Sequence, residues 1–319
     1  MERILFVSFI FLFTYWCVCI YIAWLQYFVE LVVRTLLSFF FSLICLMSAQ
    51  VAASPENLIL PKCQQEEVVE TPITFFLSKE VKDDYSPYVR EGMIQSWINR
   101  ANQILKNSCV PMHRTLHQIV EVDELNLPEF ESINVVHSML EYYDPESIKE
   151  MTRKPNHYYG VIFSSKRSEA LPPEHCGMTN NRVFPQFFTL DMACDKDTLE
   201  HELGHLAWAQ HDIDTFSAQT EMTLDEVIET TPSHLKQFFK FYAFGYQCAG
   251  KGTIMSYADE VLPVYSSPEI SYRGIPCGNK KFANNALRLR EYVRHLRARL
   301  AVHSESVISH SEEKPPVTQ

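Results

Sequence analysis

Thr198–Asp212, TLEHELGHLAWAQHD, is the stretch on which the reading of the fold turns. His201 and His205 are four residues apart, with Glu202 directly after the first. On an α-helix, residues i and i+4 lie one above the other on the same face. Two imidazoles so placed can grip one Zn²⁺ at about 2.0–2.1 Å each. Glu202 then lies beside the metal and is the expected general base of an H-E-x-x-H arrangement. His211, six residues after His205, is too far round to share the helical face. It reaches the same ion only if the chain turns back just beyond the helix.

A bare H-E-x-x-H is a weak signal, since it is only five positions long. The third histidine and a later GTIMSY segment, with Met255 and Tyr257, strengthen it. Together these residues resemble the metzincin zinc endopeptidases. Asp212 after the third histidine resembles the reprolysin/adamalysin branch, and Tyr257 is similar to the astacin and serralysin pattern. Tyr265–Asn279, YSSPEISYRGIPCGN, is similar to a segment of bacterial reprolysin-like proteases. The resemblance implies an α/β metzincin-like fold: a mixed twisted sheet, a zinc-binding active-site helix and a smaller C-terminal subdomain with a Met-turn. It also implies His201, His205 and His211 as ligands of Zn²⁺, with Glu202 and Tyr257 as catalytic residues. Met255 becomes a hydrophobic floor under the histidines, and Asp212 a buried carboxylate bracing the turn. One wall of the substrate pocket is expected near Val264 to Ile270.

One position departs from the family pattern. Where the family has glycine, three residues after the second histidine, this chain has Trp208. Glycine enters positive φ at no steric cost and a large aromatic does so only with strain. The turn is therefore expected to be built differently, one residue later, or to leave His211 less well placed. This motivates an alternative function, a catalytically weak or inactive zinc-binding module that holds a protein partner. A third reading makes the chain a membrane-tethered interaction protein.

Upstream, residues 1–53 read as a hydrophobic leader. Ile4–Val29 has no charged residue and is long enough for a membrane span behind Arg3. Alternatively, Arg34, the apolar Leu36–Met47 and the small residues Ala49, Ala52 and Ala53 form a signal peptide cleaved after Ala53. Either way the rest of the chain is exported, to a secreted or extracytoplasmic location. Of nine cysteines, Cys17, Cys19 and Cys45 fall in the leader, leaving six. An even number in an oxidising compartment points to disulfides, although six cysteines allow 15 connectivities. The expected pairs are Cys176–Cys194, Cys248–Cys277 and Cys63–Cys109. As an alternative, the Cys63 thiolate could block the zinc site in a latent form.

The remainder is expected as a short polar linker over 54–70, a catalytic domain over 71–301 and a disordered tail over 302–319. Strands are expected at Thr71–Ser78, Val110–Val122, His157–Ser165 and in FPQFFTLDMAC. Helices are expected at Tyr88–Asn107, Phe130–Tyr143, Leu224–Glu229 and Ser233–Phe244. Asp197 or Thr198 is the natural N-cap of the zinc helix. His113 and His117, four apart in a strand, would point to one face about 13 Å apart, so no second metal site is expected. The net charge is −11, yet residues 280–301 hold seven Lys/Arg and one Glu. An acidic body argues against nucleic acid as substrate. The basic stretch reads either as a polyanion-binding helix or as a C-terminal helix packed through Ala286, Leu287, Leu289, Val293, Leu296 and Leu300 with its charges in water. The expected partner is a protein or peptide substrate. The chain is expected to be a monomer that meets a membrane only through its leader.

Overall fold

Side chains alternate along three neighbouring strands, and that alternation sets the layers. A computed structural model describes residues 57–125, 132–166, 176–233 and 239–312 with Arg34, and from 305 onward the backbone alone. Apart from Arg34, the leader over 1–53 lies outside the described residues. In chain order the elements begin with β1 (Leu58–Ile59), β2 (Val69–Leu77), α1 (Lys79–Asp84), α2 (Pro87–Asn107) and β3 (Met112–Glu121). There follow α3 (Ile133–Tyr143), α4 (Pro145–Arg153), β4 (Tyr158–Phe163), β5 (Gly177–Thr179) and β6 (Phe187–Asp191). After α5 (Thr198–Leu206), α6 (Ile213–Thr220) and α7 (Leu224–Thr230) come β7 (Gln247–Cys248), β8 (Lys251–Gly252), β9 (Ser267–Tyr272), β10 (Ile275–Cys277) and α8 (Asn285–Glu312).

The main sheet has the order β3-β2-β4-β6-β5, parallel except for the antiparallel edge strand β5. Ile73, Phe75 and Leu77 of β2, with Tyr158 and Ile162 of β4 and Phe188 of β6, face Trp97 and Ile98 of α2 and Leu199 and Leu203 of α5. The opposite set, Phe76, Tyr159, Val161 and Phe187, packs on Val136 and Leu140 of α3 and Ile148 and Met151 of α4. Helices thus cover both faces, which is why β4 and β6 are buried at every position. The α/β expectation holds at this level, with a mixed five-stranded sheet.

Helix α8 buries Ala286, Leu289, Val293 and Leu296 of its expected stripe against Ile104, Leu105 and Tyr265, with Leu300 partly buried beside them and Leu287 outside the cluster. It continues to Glu312, past the residue 302 boundary expected for the tail. Residues 57–68 are not a free linker either. Leu58 and Ile59 pair with Tyr272 and Ser271, and Cys63 is bonded to Cys109. The three disulfides are Cys63–Cys109, Cys176–Cys194 and Cys248–Cys277. They match the expected pairs and fit an oxidising compartment. Among the described residues no helix is long and apolar enough to cross a membrane.

Helices α1, α4 and α6 lie outside the expected elements. Helix α4 is capped by the Asp144 carboxylate, which accepts from Ser147 N, ahead of Pro145 at its first position. That start signal outweighs its polar composition. Of the helix expected over Ser233–Phe244, residues 234–238 lie outside the described residues, and 239–244 form a turn ending in a bridge between Phe244 and Gln210. Helix α6 is capped by Asp212 and has no buried stripe that periodicity could have found.

Candidate metal centre

Helix α5 carries His201 and His205 on one face, their ring centroids 4.9 Å apart. Asp197 is its N-cap residue, one of the two expected. Asp197 has helical backbone angles and makes no side-chain cap, because its carboxylate is engaged by the Arg100 guanidinium of α2.

The other end holds the main surprise. Trp208 has φ of 70°, so the chain turns at the position where glycine was expected. Trp208 N donates to His205 O at 3.0 Å and Ala209 N to Gly204 O at 2.9 Å, the bonding pattern of a Schellman motif. The indole is held edge-on to Tyr292 at 4.9 Å, with the Arg288 guanidinium 4.6 Å above it. Packing therefore supports a backbone conformation that the side chain disfavours. The turn is neither displaced nor loosened. Gln210 then bridges to Phe244, Gln210 N donating to Ala243 O and Gly245 N to Gln210 O, which points His211 back toward the helix.

His211 Nε2 lies 3.0 Å from His201 Nε2 and 2.9 Å from His205 Nε2. Each Nδ1 already faces an oxygen: Ile254 O for His201 at 2.8 Å, Ala209 O for His205 at 3.1 Å and Gln219 Oε1 for His211 at 2.8 Å. Those oxygens only accept, so each Nδ1 carries the proton and each Nε2 presents a lone pair. Three lone pairs converge with no donor among them. Burial, above other causes, lowers the pKa of all three rings, that of His201 to about 4, and keeps them neutral. Neutral imidazoles with oriented Nδ1–H groups are the donor set a divalent cation takes. Among the described residues this is the one group of three such side chains placed to hold a metal.

Glu202 is buried beside the triad, and burial pushes its carboxyl up to about 8, partly offset by a hydrogen bond with Thr179. A cation in the triad favours the carboxylate and draws that value back toward neutrality. Gly177 of β5 leaves the space that the Glu202 stem fills. Met255 is fully buried, and its sulfur packs where Gly204 of α5 lacks a Cβ. Tyr257 is 56% exposed, with its ring centroid 4.6 Å from that of His211 and 5.9 Å from that of His201. The buried Asp212 carboxylate accepts from Thr215 N and Thr215 Oγ1 at 3.0 Å and from Tyr257 N at 3.4 Å. It thereby caps α6, the helix that brings Gln219 to His211, and ties that helix to the Tyr257 segment.

A cleft of about 700 Å³ opens on His201 and Glu202. Cys176 and Gly177 line it, as do Ile254, Ser256–Asp259 and Val261. Of the segment expected to wall the substrate pocket, Val264, Tyr265, Ser266, Ser267 and Ile270 are buried and do not line this cleft. Cys63 is held in its disulfide, which removes the thiolate that a latent form would need. His113 and His117 do not keep a common face, because the β2–β3 register shifts after Ile73 and skips His117. His113 meets Glu70, and the His117 ring packs against His157.

Sequence reading missed Gln219, Thr179 and a buried network behind the helix. Arg114 of β3 donates from Nε to Glu200 Oε2 at 3.0 Å and from Nη2 to Glu200 Oε1 at 3.2 Å, both side chains fully buried. Tyr265 also donates to Glu200 Oε1 at 2.8 Å. No local signal singled out this pair, since both residues sit among other polar and charged side chains, in MHRTLHQIVE and TLEHELGHL.

No protein-family model matches the chain, and no curated protein sequence does. Among solved structures it is similar to a chain in the structure of a chaperone-substrate complex, with a TM-score of 0.50 and 13% identity. That match covers 74% of this chain and 36% of the other, so this chain spans about a third of that length. Metalloproteinase-II from Bacteroides fragilis matches with a TM-score of 0.38 and 16% identity, over 75% of this chain and 58% of that one. A zinc-dependent peptidase from Methanocorpusculum labreanum matches with a TM-score of 0.27 and 11% identity, over 44% and 82%. The first likeness is one of fold alone, and the two peptidases are more distant still.

Proposed function

We propose that the chain is an exported zinc-dependent endopeptidase of metzincin type, nearest to the reprolysin-like branch. The observation that carries this reading is the convergence of three Nε2 lone pairs, with no donor among them, beside a buried carboxylate on a cleft. His201, His205 and His211 would hold Zn²⁺, which supplies Lewis acidity and lowers the pKa of a water molecule. Glu202 accepts the proton of the attacking water on its carboxylate and returns it to the leaving amine. The Tyr257 hydroxyl donates a hydrogen bond to the oxyanion that develops on the peptide carbonyl. Among the described residues β5 is an edge strand, and an extended substrate can pair with it. Residues 253–257 are read as the Met-turn, within a smaller C-terminal subdomain. The leader exports the body. The protein acts as a monomer on protein or peptide, without nucleic acid.

Zinc content and hydrolysis of a quenched-peptide panel test this on the full chain in neutral detergent, beside Glu202→Gln. One zinc in both proteins is expected, with turnover about 10²–10⁴-fold lower in the variant. Full activity in the variant overturns the role of Glu202. Zinc without turnover in either protein establishes the non-catalytic binding module instead.

A further inference from the structure

A second cavity shares no lining residue with the triad cleft. It measures about 1170 Å³ and lies between residues 62–68, the C-terminal half of α2, the start of β3 and α8. Its wall is fastened at two points. Cys63 is bonded to Cys109, and the Arg297 guanidinium of α8 engages Glu66 and the Glu67 carbonyl.

Four cations line it: Lys62, Lys106, Arg290 and Arg294. They come from three separate parts of the chain. The two lining glutamates are Glu66, which Arg297 already pairs, and Glu269. Positive charge is therefore gathered here on a chain whose net charge is −11. Arg290 is partly withdrawn from water, with Nη1 donating to Ser108 O at 3.2 Å, and burial disfavours its charge. Glu269 and Glu66 offset part of that cost, and an anion in the cavity would offset the remainder together with the repulsion from Arg294.

The rest of the lining selects among anions. Gln64, Gln65 and Asn99 add neutral hydrogen-bonding groups, and no Phe, Tyr or Trp lines the cavity. A ligand that stacks bases or anchors aromatic side chains finds no platform here. One rich in hydroxyl and acid groups finds both kinds of partner. The volume exceeds the range usual for a single small ligand, about 300–1000 Å³, and suits several linked rings. We infer that this cavity binds an anionic oligosaccharide, a short chain of sulfated or uronic-acid sugars.

The full chain in neutral detergent is titrated calorimetrically with four probes: a sulfated hexasaccharide, an unsulfated hexa-uronate, a neutral hexasaccharide and hexaglutamate. At least one charged sugar is expected to bind ten-fold or more tightly than the neutral sugar and hexaglutamate, and less tightly as salt rises. The better of the two charged sugars identifies the anion. Lys106→Glu with Arg294→Glu, both at exposed positions, is expected to weaken binding at least ten-fold. Hydrogen exchange on the unaltered protein, saturated with that sugar, is expected to show protection over 62–68. The proposal fails if neither charged sugar binds, or if a variant with an unchanged melting curve binds equally well. It fails too if protection falls elsewhere, or if hexaglutamate binds as tightly, which would make this a site for acidic peptides.

Discussion

Gly177 faces Glu202 so closely that a Cβ on it would lie 2.7 Å from Glu202 Cγ, and 2.8 Å from Thr189 O on the other side. A methyl group cannot fit between a strand backbone and that side chain unless one of them moves. Gly177→Ala is expected to displace the Glu202 carboxylate, and a misplacement of about 1 Å costs on the order of 10² in rate. The histidines are untouched, so zinc stoichiometry stays at one. Peptide turnover and metal content, measured together, check this. An unchanged kcat would show that β5 yields and that Glu202 is positioned by other contacts.

Trp208 sets backbone strain against packing. Replacing it with glycine removes a positive-φ cost of about 1 kcal/mol. The same change loses an aromatic ring that is partly buried against Tyr292 and Arg288. Full loss of a buried aromatic costs roughly 3–5 kcal/mol, and a half-buried one about half that. Trp208→Gly is therefore expected to lower stability by about 1 kcal/mol and to retain zinc. A raised melting temperature would mean that strain is the larger effect.

Cys248 and Cys277 close a loop with a sequence separation of 29, and both are buried. The chain-entropy relation assigns such a loop about 3.5 kcal/mol. Replacing both cysteines with alanine is expected to lower stability by up to that amount. Proteolysis should then cut first between residues 248 and 277, detected by mass spectrometry of early fragments. An unchanged melting temperature would show that the contacts of Leu262, Val264 and Ile270 hold this region without the bridge.

His157 supplies a pH dependence away from the metal centre. It is buried with Nε2 2.9 Å from Thr74 Oγ1. Burial first, then the charges of His117 and Lys154, lower its pKa from 6.5 to about 4. The unfolded chain therefore binds more protons between those two values. Stability from this group is complete above pH 6.5 and is lost as pH falls toward 4, by at most about 3 kcal/mol. Denaturant titrations at pH 7, 5.5 and 4.5 should show a shallower fall in His157→Gln than in the parent chain. Parallel slopes would remove His157 as the cause.

Local signals carried much of the fold and the site. The periodicity of Tyr88–Asn107 and the aromatic, β-branched run at His157–Ser165 reported elements whose burial is one-sided or complete, and both formed. The histidine spacing reported a face of a helix. What stayed hidden depends on contacts between distant segments. Nothing local to Trp208 says that Tyr292 and Arg288 will hold its ring and make a left-handed turn tolerable. Gln219 reaches His211 only because Asp212 caps a helix that has no buried stripe. Val264, Tyr265, Ser266, Ser267 and Ile270 are buried and are absent from the lining of the cleft, although Glu269 in the same segment is exposed.

The Arg114–Glu200 pair has a consequence for the angular setting of the helix that carries the histidines. Two charges withdrawn wholly from water contribute little net stability, but they are costly to separate. Glu200 immediately precedes His201, and adjacent helical residues are about 100° apart around the axis. Any rotation that carried the imidazoles away from His211 would also carry the carboxylate away from the forked guanidinium on β3, leaving both ions buried and alone. The alternative orientations of α5 are thereby raised in energy together. The pair acts as a key cut for one rotational position, and Tyr265, bonded to the same carboxylate, fastens that key from the segment just beyond Met255.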